Sequence, residues 1–399
     1  MVTSWTPALG HERQLRLDEL TLEDLEAVRL MLRGSSVIDW YQLHFHDEND
    51  VDRFLRVNEF DPASPDDIAR LEELRLDAVE YLSRNFNMEL PDAVANRVPA
   101  RDLFLMASRD GKQKTWACII LKVMHIAHHL AGRELSTRLP ISVDQIYRQI
   151  ELKVMRVVDE LRAAGYPVTE FQWSRKTQDS LITKLLAKRS TLAANIYDKL
   201  RFRMIVRTPD DLPSMLVALH RRLIPFNYVV PGASVNHLLP FRQVLDGSNS
   251  LRAMEPLLQH DTTLEKQQER AAAAPINEFS GKRYKIVNFV ADLPVRVDPF
   301  LDAESRTFGN VVFVLTEFQL VDQETALENE RGDNSHEEYK ARQYRSVRHR
   351  LMRGLERRNE QPSEEPVRAP PRAVGPDSRP PPVKLQAARR SPDRRRRPR

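Results

Sequence analysis

From residue 17 to residue 165 the apolar positions recur at intervals of three and four. Leu20, Leu22, Leu25, Val28, Leu30 and Leu32 crowd one region, and Ile68, Leu71, Leu74, Leu76, Val79 and Leu82 repeat over another. That spacing predicts amphipathic helices. Thr21 with Glu23 and Asp24 behind it makes a helix start, since carboxylates there face the positive end of the dipole. Further helices are expected over 114–132, ending at Gly132, and from Val143 to Ala164, stopped by Gly165 and Pro167. This half shows no strand-like alternation and reads as a helical N-terminal domain, 1–142.

The pattern changes at Pro167. Val168 to Trp173 reads as a short strand and 176–189 as a helix. Arg201 to Arg207 alternates Phe202, Met204 and Val206 with arginines, a period of two. Pro209 opens another helix, as proline tolerates the first turn. Tyr284 to Val297 and Asn310 to Leu320 are strand-like, and a last helix runs from about Asn334 to Arg357. Strands interleaved with helices predict an α+β domain over 143–357, a mixed sheet flanked by helices. Residues 231–282, with Gly, Asn, Gln and an alanine run, read as an insertion.

Composition alters this picture mainly at the carboxyl end. The 399 residues carry a net charge of +4, but 361–399 hold ten Arg and one Lys against two Glu and two Asp, so the tail is +7 and the first 360 residues are 4 − 7 = −3. Ten of the 26 prolines also lie there, which predicts a disordered Pro/Arg-rich tail over 358–399. Clustered cations would give it nonspecific attraction to RNA; a solubilising extension is the alternative, and no aromatic residue is present to stack on bases. The single cysteine, Cys118, excludes an intrachain disulfide and a multi-cysteine zinc site, in keeping with a reducing cytoplasm. Residues 1–30 hold no signal-type apolar run. The most apolar stretch, Trp116 to Leu130, is broken by Lys122, His125, His128 and His129, so no membrane span is expected.

Three groups could carry chemistry. Lys176, Ser180 and Lys184 stand four apart, on one helical face, where two ammonium groups and a hydroxyl suit a polyphosphate; a solvated basic face is the alternative. Asp198, just before the 201–207 strand, and Glu317, within an apolar run, could share a Mg²⁺ ion across neighbouring strands. The competing reading makes Asp198 a cap and puts Glu317 on the exposed face of an edge strand. His125, His128 and His129 have helical spacing for a metal, but with no acidic ligand nearby they read better as structural. His46-Asp47 reads as a hydrated acidic helix start.

Taken in order, the helix from 143, the strand 168–173, Lys176-x3-Ser180-x3-Lys184, Tyr197-Asp198-x4-Arg203 and Glu317-Phe318-Gln319-Leu320 resemble the synthetase domain of the RelA/SpoT family. His336, Tyr339 and Lys340 follow at a spacing like that of its long members. The resemblance covers about 150–345 and implies a nucleotidyltransferase-type fold. It also implies Mg²⁺-dependent transfer of the β,γ-pyrophosphate of ATP to the 3′-hydroxyl of a guanosine nucleotide. On that likeness Asp198 and Glu317 would hold Mg²⁺, and Glu317 would also take the acceptor proton. Lys176, Ser180, Lys184, Arg203, Gln319, His336 and Lys340 would contact nucleotide, and Tyr284 would lie against a purine. The chain departs from the family at Arg283-Tyr284-Lys285-Ile286-Val287-Asn288, which lacks the family's serine and histidine. It departs again at Val321-Asp322, where arginine is usual. The acceptor therefore stays open between a guanosine nucleotide and an RNA end such as tRNA. A binding or scaffold protein of the same fold is the rival reading.

Overall fold

The computed structural model describes residues 13–33, 44–187, 199–258, 281 and 283–360, the side chains of 336 and 353–360 excepted. Asp198, residues 259–280 and the tail from 361 lie outside the described residues. The apolar repeats of the first half become helices α1 (Leu22–Arg33), α2 (Glu48–Val57), α3 (Pro65–Phe86), α4 (Asp102–Ser108), α5 (Lys114–Arg138) and α6 (Val143–Ala163). Side-chain caps set their starts: Asp47 accepts from the Asp50 amide (3.0 Å), Ser64 from Asp67, and Ser142 from Gln145, whose own side chain reaches back. His46-Asp47 thus opens α2.

The second half contains β1 (Val168–Arg175), α7 (Gln178–Ala187), β2 (Leu200–Val206), α8 (Leu212–Arg222), β3 (Val235–Asn236), α9 (Phe241–Asp246), α10 (Asn249–Met254), β4 (Val287–Arg296), β5 (Val311–Asp322), α11 (Gln323–Asn329) and α12 (His336–Glu360). The fold is α+β. By backbone contacts the chain divides into a unit ending at Leu351 and a second from Met352, whose described residues continue α12.

Two expectations are corrected. Helix α5 does not end at Gly132 but runs to Arg138. A Cβ at 132 would come within 2.5 Å of the Phe313 ring and 2.7 Å of the Val311 carbonyl oxygen. Glycine is there so that the helix can lie on β5, not to stop it. Tyr284 does not begin a strand, because β4 starts three residues later, at Val287.

The strands form one sheet in the order β1-β2-β5-β4-β3, with β2 and β5 parallel and the other pairs antiparallel. β5 is central, which is why nearly every residue of it is buried rather than alternating between core and solvent. One face carries Phe202, Phe318 and Phe289 directly opposite one another, with successive ring centroids 5.7 and 5.6 Å apart. Ile150, Val154, Val157 and Leu161 of α6 and the buried residues of α8 complete this core. Leu239, Phe241, Val244, Leu245 and Leu251, within the 231–282 stretch, enter the same core. A second cluster joins α2, α3, α4 and α5 around Phe54, Leu71, Phe104 and Ile120.

Helices and sheet are also joined by a buried ion pair. Lys153 Nζ of α6 lies 2.5 Å from Glu59 Oε1 and donates to the Pro294 carbonyl of β4 (3.0 Å); the two side chains are 1% and 0% exposed. Glu59 adopts a positive φ of 66° just after α2, a conformation that non-glycine residues rarely take. Charges so deep in the core are tolerated only as a pair. Lys153→Met alone is therefore expected to lower stability by about 3–5 kcal/mol, and Lys153→Met with Glu59→Leu to recover most of it. Denaturant midpoints with unchanged slopes would check this.

On α5, His125 is half-buried and His128 is buried between the rings of Phe60 and Phe313 (centroids 4.9 and 5.4 Å). Loss of hydration lowers both from 6.5 to about 3, with smaller repulsion from His129 at His125 and from Arg70 and the other two histidines at His128. Each stays neutral when folded but takes up a proton below about 6.5 when unfolded. Acid thus favours the unfolded chain, and stability is lost as pH falls from 6.5 toward 3, by about 1.4 kcal/mol per pH unit per histidine. His128→Phe should reduce that slope, as read from stability measured across pH 4–7.

Candidate functional site

The face opposite the phenylalanines is polar over its middle. Register puts Arg201 of β2, Glu317 of β5 and Val290 of β4 in one row, and Arg203, Gln319 and Asn288 in the next. Residues two apart on a strand share a face, so the alternation that buries Phe202 and Phe318 sends these side chains to the other side. Arg201 Nε donates to Glu317 Oε2 (2.7 Å), and Gln319 Nε2 donates to Glu317 Oε1 (3.1 Å). Glu317 is buried on the central strand, so the edge-strand alternative does not hold.

Tyr284 lies within electrostatic reach of these rows. Burial pushes its phenol above the ordinary value; Arg203 and Arg201 pull it down, while Glu317 and Glu330 push it up, so all four charges act on it. The segment is fixed by Asn329 at the end of α11, which accepts from the Lys285 amide (3.1 Å) and donates to the Lys285 carbonyl (2.8 Å). The next residue, Glu330, accepts from Arg203 (3.3 Å).

Helix α7 begins beside β2, tied by the Lys176 amide donating to the Lys199 carbonyl (2.9 Å). Thr177 Oγ1 accepts from the Ser180 amide (3.4 Å), placing Ser180 in the first turn, where it is exposed. Lys176 and Lys184 are partly buried. Leu186 and Ala187 of α7 pack on Tyr339 and Val347 of α12, which brings together the helices bearing Lys184 and Lys340. Lys340 is exposed, while His336 opens α12 with its side chain outside the described residues. The structure thus gathers Arg203, Tyr284, Glu317 and Gln319. It adds Arg201 and Glu330, which the motif order did not single out. The Arg-x-Arg alternation of β2 signals Arg201, whereas nothing in the sequence around Glu330 does.

The other end of the same face is covered by α5. There Asp292, two residues beyond Val290, accepts from His129 Nε2 (2.7 Å) and Arg133 (2.5 Å). Asn288 Oδ1 is buried without a hydrogen-bond partner among the described residues.

Among the described residues no group of three or more His, Cys, Asp or Glu side chains could hold a metal. Mg²⁺ needs no such cage, since one or two carboxylates and substrate phosphates suffice. Glu317 accepts one hydrogen bond at each oxygen, and a carboxylate has about four acceptor positions. Its residue type and remaining capacity fit a hard cation. Among the described residues no helix is long and apolar enough to cross a membrane.

No family model matches the chain, and no curated protein matches it. Solved structures do. The small alarmone synthetase 1 from Bacillus subtilis is 17% identical, over 53% of this chain and 90% of its own, with a TM-score of 0.25. The small alarmone synthetase 2 from the same organism is 12% identical, over 55% and 82%, with a TM-score of 0.27. A GTP pyrophosphokinase family protein from Streptococcus pneumoniae is 14% identical, over 54% and 87%, with a TM-score of 0.25. By name these are proteins of the kind that the ordered motifs resemble. Likenesses with TM-scores this low assign no function, and that task falls to the side chains.

Removing Arg201 leaves Glu317 buried with its charge unmatched. Arg201→Gln is expected to destabilise by about 1.5–3 kcal/mol, and Arg201→Gln with Glu317→Gln by less than the two single changes summed. A double-mutant cycle on chemical unfolding checks it.

Proposed function

We propose that the chain transfers pyrophosphate from ATP to the 3′-hydroxyl of a guanosine nucleotide or of an RNA end. The observation that carries this reading is the pair of rows on the polar face of the sheet. A buried carboxylate, Glu317, stands between a guanidinium and a carboxamide, with a second guanidinium, Arg203, one row on. Phosphoryl transfer asks for in-line positioning and neutralised charge more than for a covalent intermediate, and these residue types meet that demand.

In this reading Arg203, with Lys176, Ser180, Lys184, His336 and Lys340, holds the phosphates. Gln319 orients Glu317, and Tyr284 lies against the purine. The acceptor 3′-oxygen bonds to the β-phosphorus while the bond from that phosphorus to the α–β bridging oxygen breaks. AMP leaves with the electron pair, and the hydroxyl proton passes to Glu317. Mg²⁺, held by Glu317 and Asp198, would supply further neutralisation of phosphate charge. The tail's +7 over 361–399 would favour an RNA acceptor through nonspecific attraction.

One observation favours a second reading, in which the chain binds nucleotide or RNA without turnover. Both Glu317 oxygens already accept hydrogen bonds, an arrangement that a binding protein would keep and a general base would have to loosen.

Incubation with γ-labelled ATP and Mg²⁺, offering GDP, GTP and bulk tRNA in parallel, separates the two. Label is expected on one acceptor class with wild type. Glu317→Gln and Asp198→Asn should each cut the rate by about 10²-fold or more. Nucleotide binding with no transfer to any acceptor would replace the transferase with the binding protein.

A further inference from the structure

Arg203 does not stand ready for a ligand. Its guanidinium is partly shielded, 15% exposed, and is already paired with Glu330 at 3.3 Å, while its Nε is buried with no hydrogen-bond partner among the described residues. Glu330 is of the opposite character. It is 59% exposed and caps the carboxyl end of α11, where the helix dipole disfavours a negative charge. It is nevertheless held near Arg203, because the adjacent Asn329 grips the Lys285 backbone through two hydrogen bonds. An acid fixed by its neighbour beside a shielded arginine, in a pairing that solvent weakens, is one that a better anion can displace.

We infer that Glu330 is a resident competitor for Arg203, which a phosphoryl group must displace, and that it sets the charge a ligand needs to enter the site. The inference rests on the polyphosphate reading of the polar sheet face and names a determinant of selectivity within it. A carboxylate or another singly charged anion gains little by replacing Glu330, since it exchanges one single charge for another. A phosphate chain carries more charge and reaches the neighbouring cations while Arg203 turns from Glu330 to a phosphoryl oxygen, and guanidinium–phosphate pairing can be bidentate. Glu330 thus lowers the affinity for all anions, and only a ligand with further phosphates to place on the neighbouring cations recovers the loss.

The test is calorimetric titration of the full chain with inorganic tripolyphosphate. The proteins are wild type, Glu330→Gln, Arg203→Gln, the double variant, and Glu328→Gln as an exposed acid of the same helix. Glu330→Gln is expected to tighten binding about twofold to fivefold, the scale of an exposed ion pair. It should have no effect when Arg203 is already glutamine, and Glu328→Gln should change little. An equal gain in both backgrounds, a gain as large from Glu328→Gln, or no gain would overturn the competitor role while leaving polyphosphate binding standing. No tripolyphosphate binding by any of the proteins would remove the polyphosphate reading itself, and the inference with it.

Discussion

The parallel pairing of β2 with β5 is the constraint on which both faces of the sheet depend. Two strands separated by more than a hundred residues meet in a register that sets Phe202 against Phe318 on one side and Arg201 against Glu317 on the other. A parallel pair cannot be closed by a hairpin and needs a long crossover, here the chain through α8, the short helices and β4. Because side chains alternate, a slip of one residue would send the guanidiniums into the core and the phenylalanines into solvent. Apolar burial on one face therefore enforces the polar geometry on the other. The site needs no separate stabilising device, since the core that holds the sheet also aligns Arg201 with Glu317.

Much of this was legible in the amino-acid order. The alternation of Arg201, Phe202, Arg203 and Met204 marks a strand with one wet face, while the run around Glu317 left a paired carboxylate and an exposed edge position both open until the strand order decided it. What stayed hidden has a common physical cause, which is that the deciding neighbour is remote in sequence. Gly132 has the look of a helix stop, but its meaning lies in Phe313 and the Val311 carbonyl, 2.5 and 2.7 Å from where a Cβ would sit. Tyr284 has the apolar-aromatic company of a strand, yet the next residue, Lys285, has its backbone gripped by Asn329, 44 residues further on, which holds the segment out of the sheet. Asp292 stands within an apolar strand, and only α5 supplies the His129 and Arg133 that receive it. Local periodicity reports which face a residue takes, not which helix arrives to cover that face.

The ion pairs then sort by how far each is shut off from water. Lys153 and Glu59 are sealed, so breaking them has no compensation from solvent or ligand, and they can serve only as an anchor between the helical layer and β4. Asp292, 4% exposed beneath His129 at 33% and Arg133 at 43%, is open on one side and pins α5 while leaving its partners wet. Arg201 with Glu317 has the buried member on the sheet and the half-open cation above it; Arg203 with Glu330 inverts this, the shielded member being the cation. That inversion matters chemically. A shielded cation with an exposed, weakly held counter-ion is suited to exchange its partner, whereas a shielded anion held by an arginine and a carboxamide is suited to keep its place. On adjacent rows of one sheet the chain thus presents a buried carboxylate beside a shielded guanidinium whose counter-ion is exposed. In the proposed transfer the carboxylate would stay where the proton is while the guanidinium follows the phosphate charge.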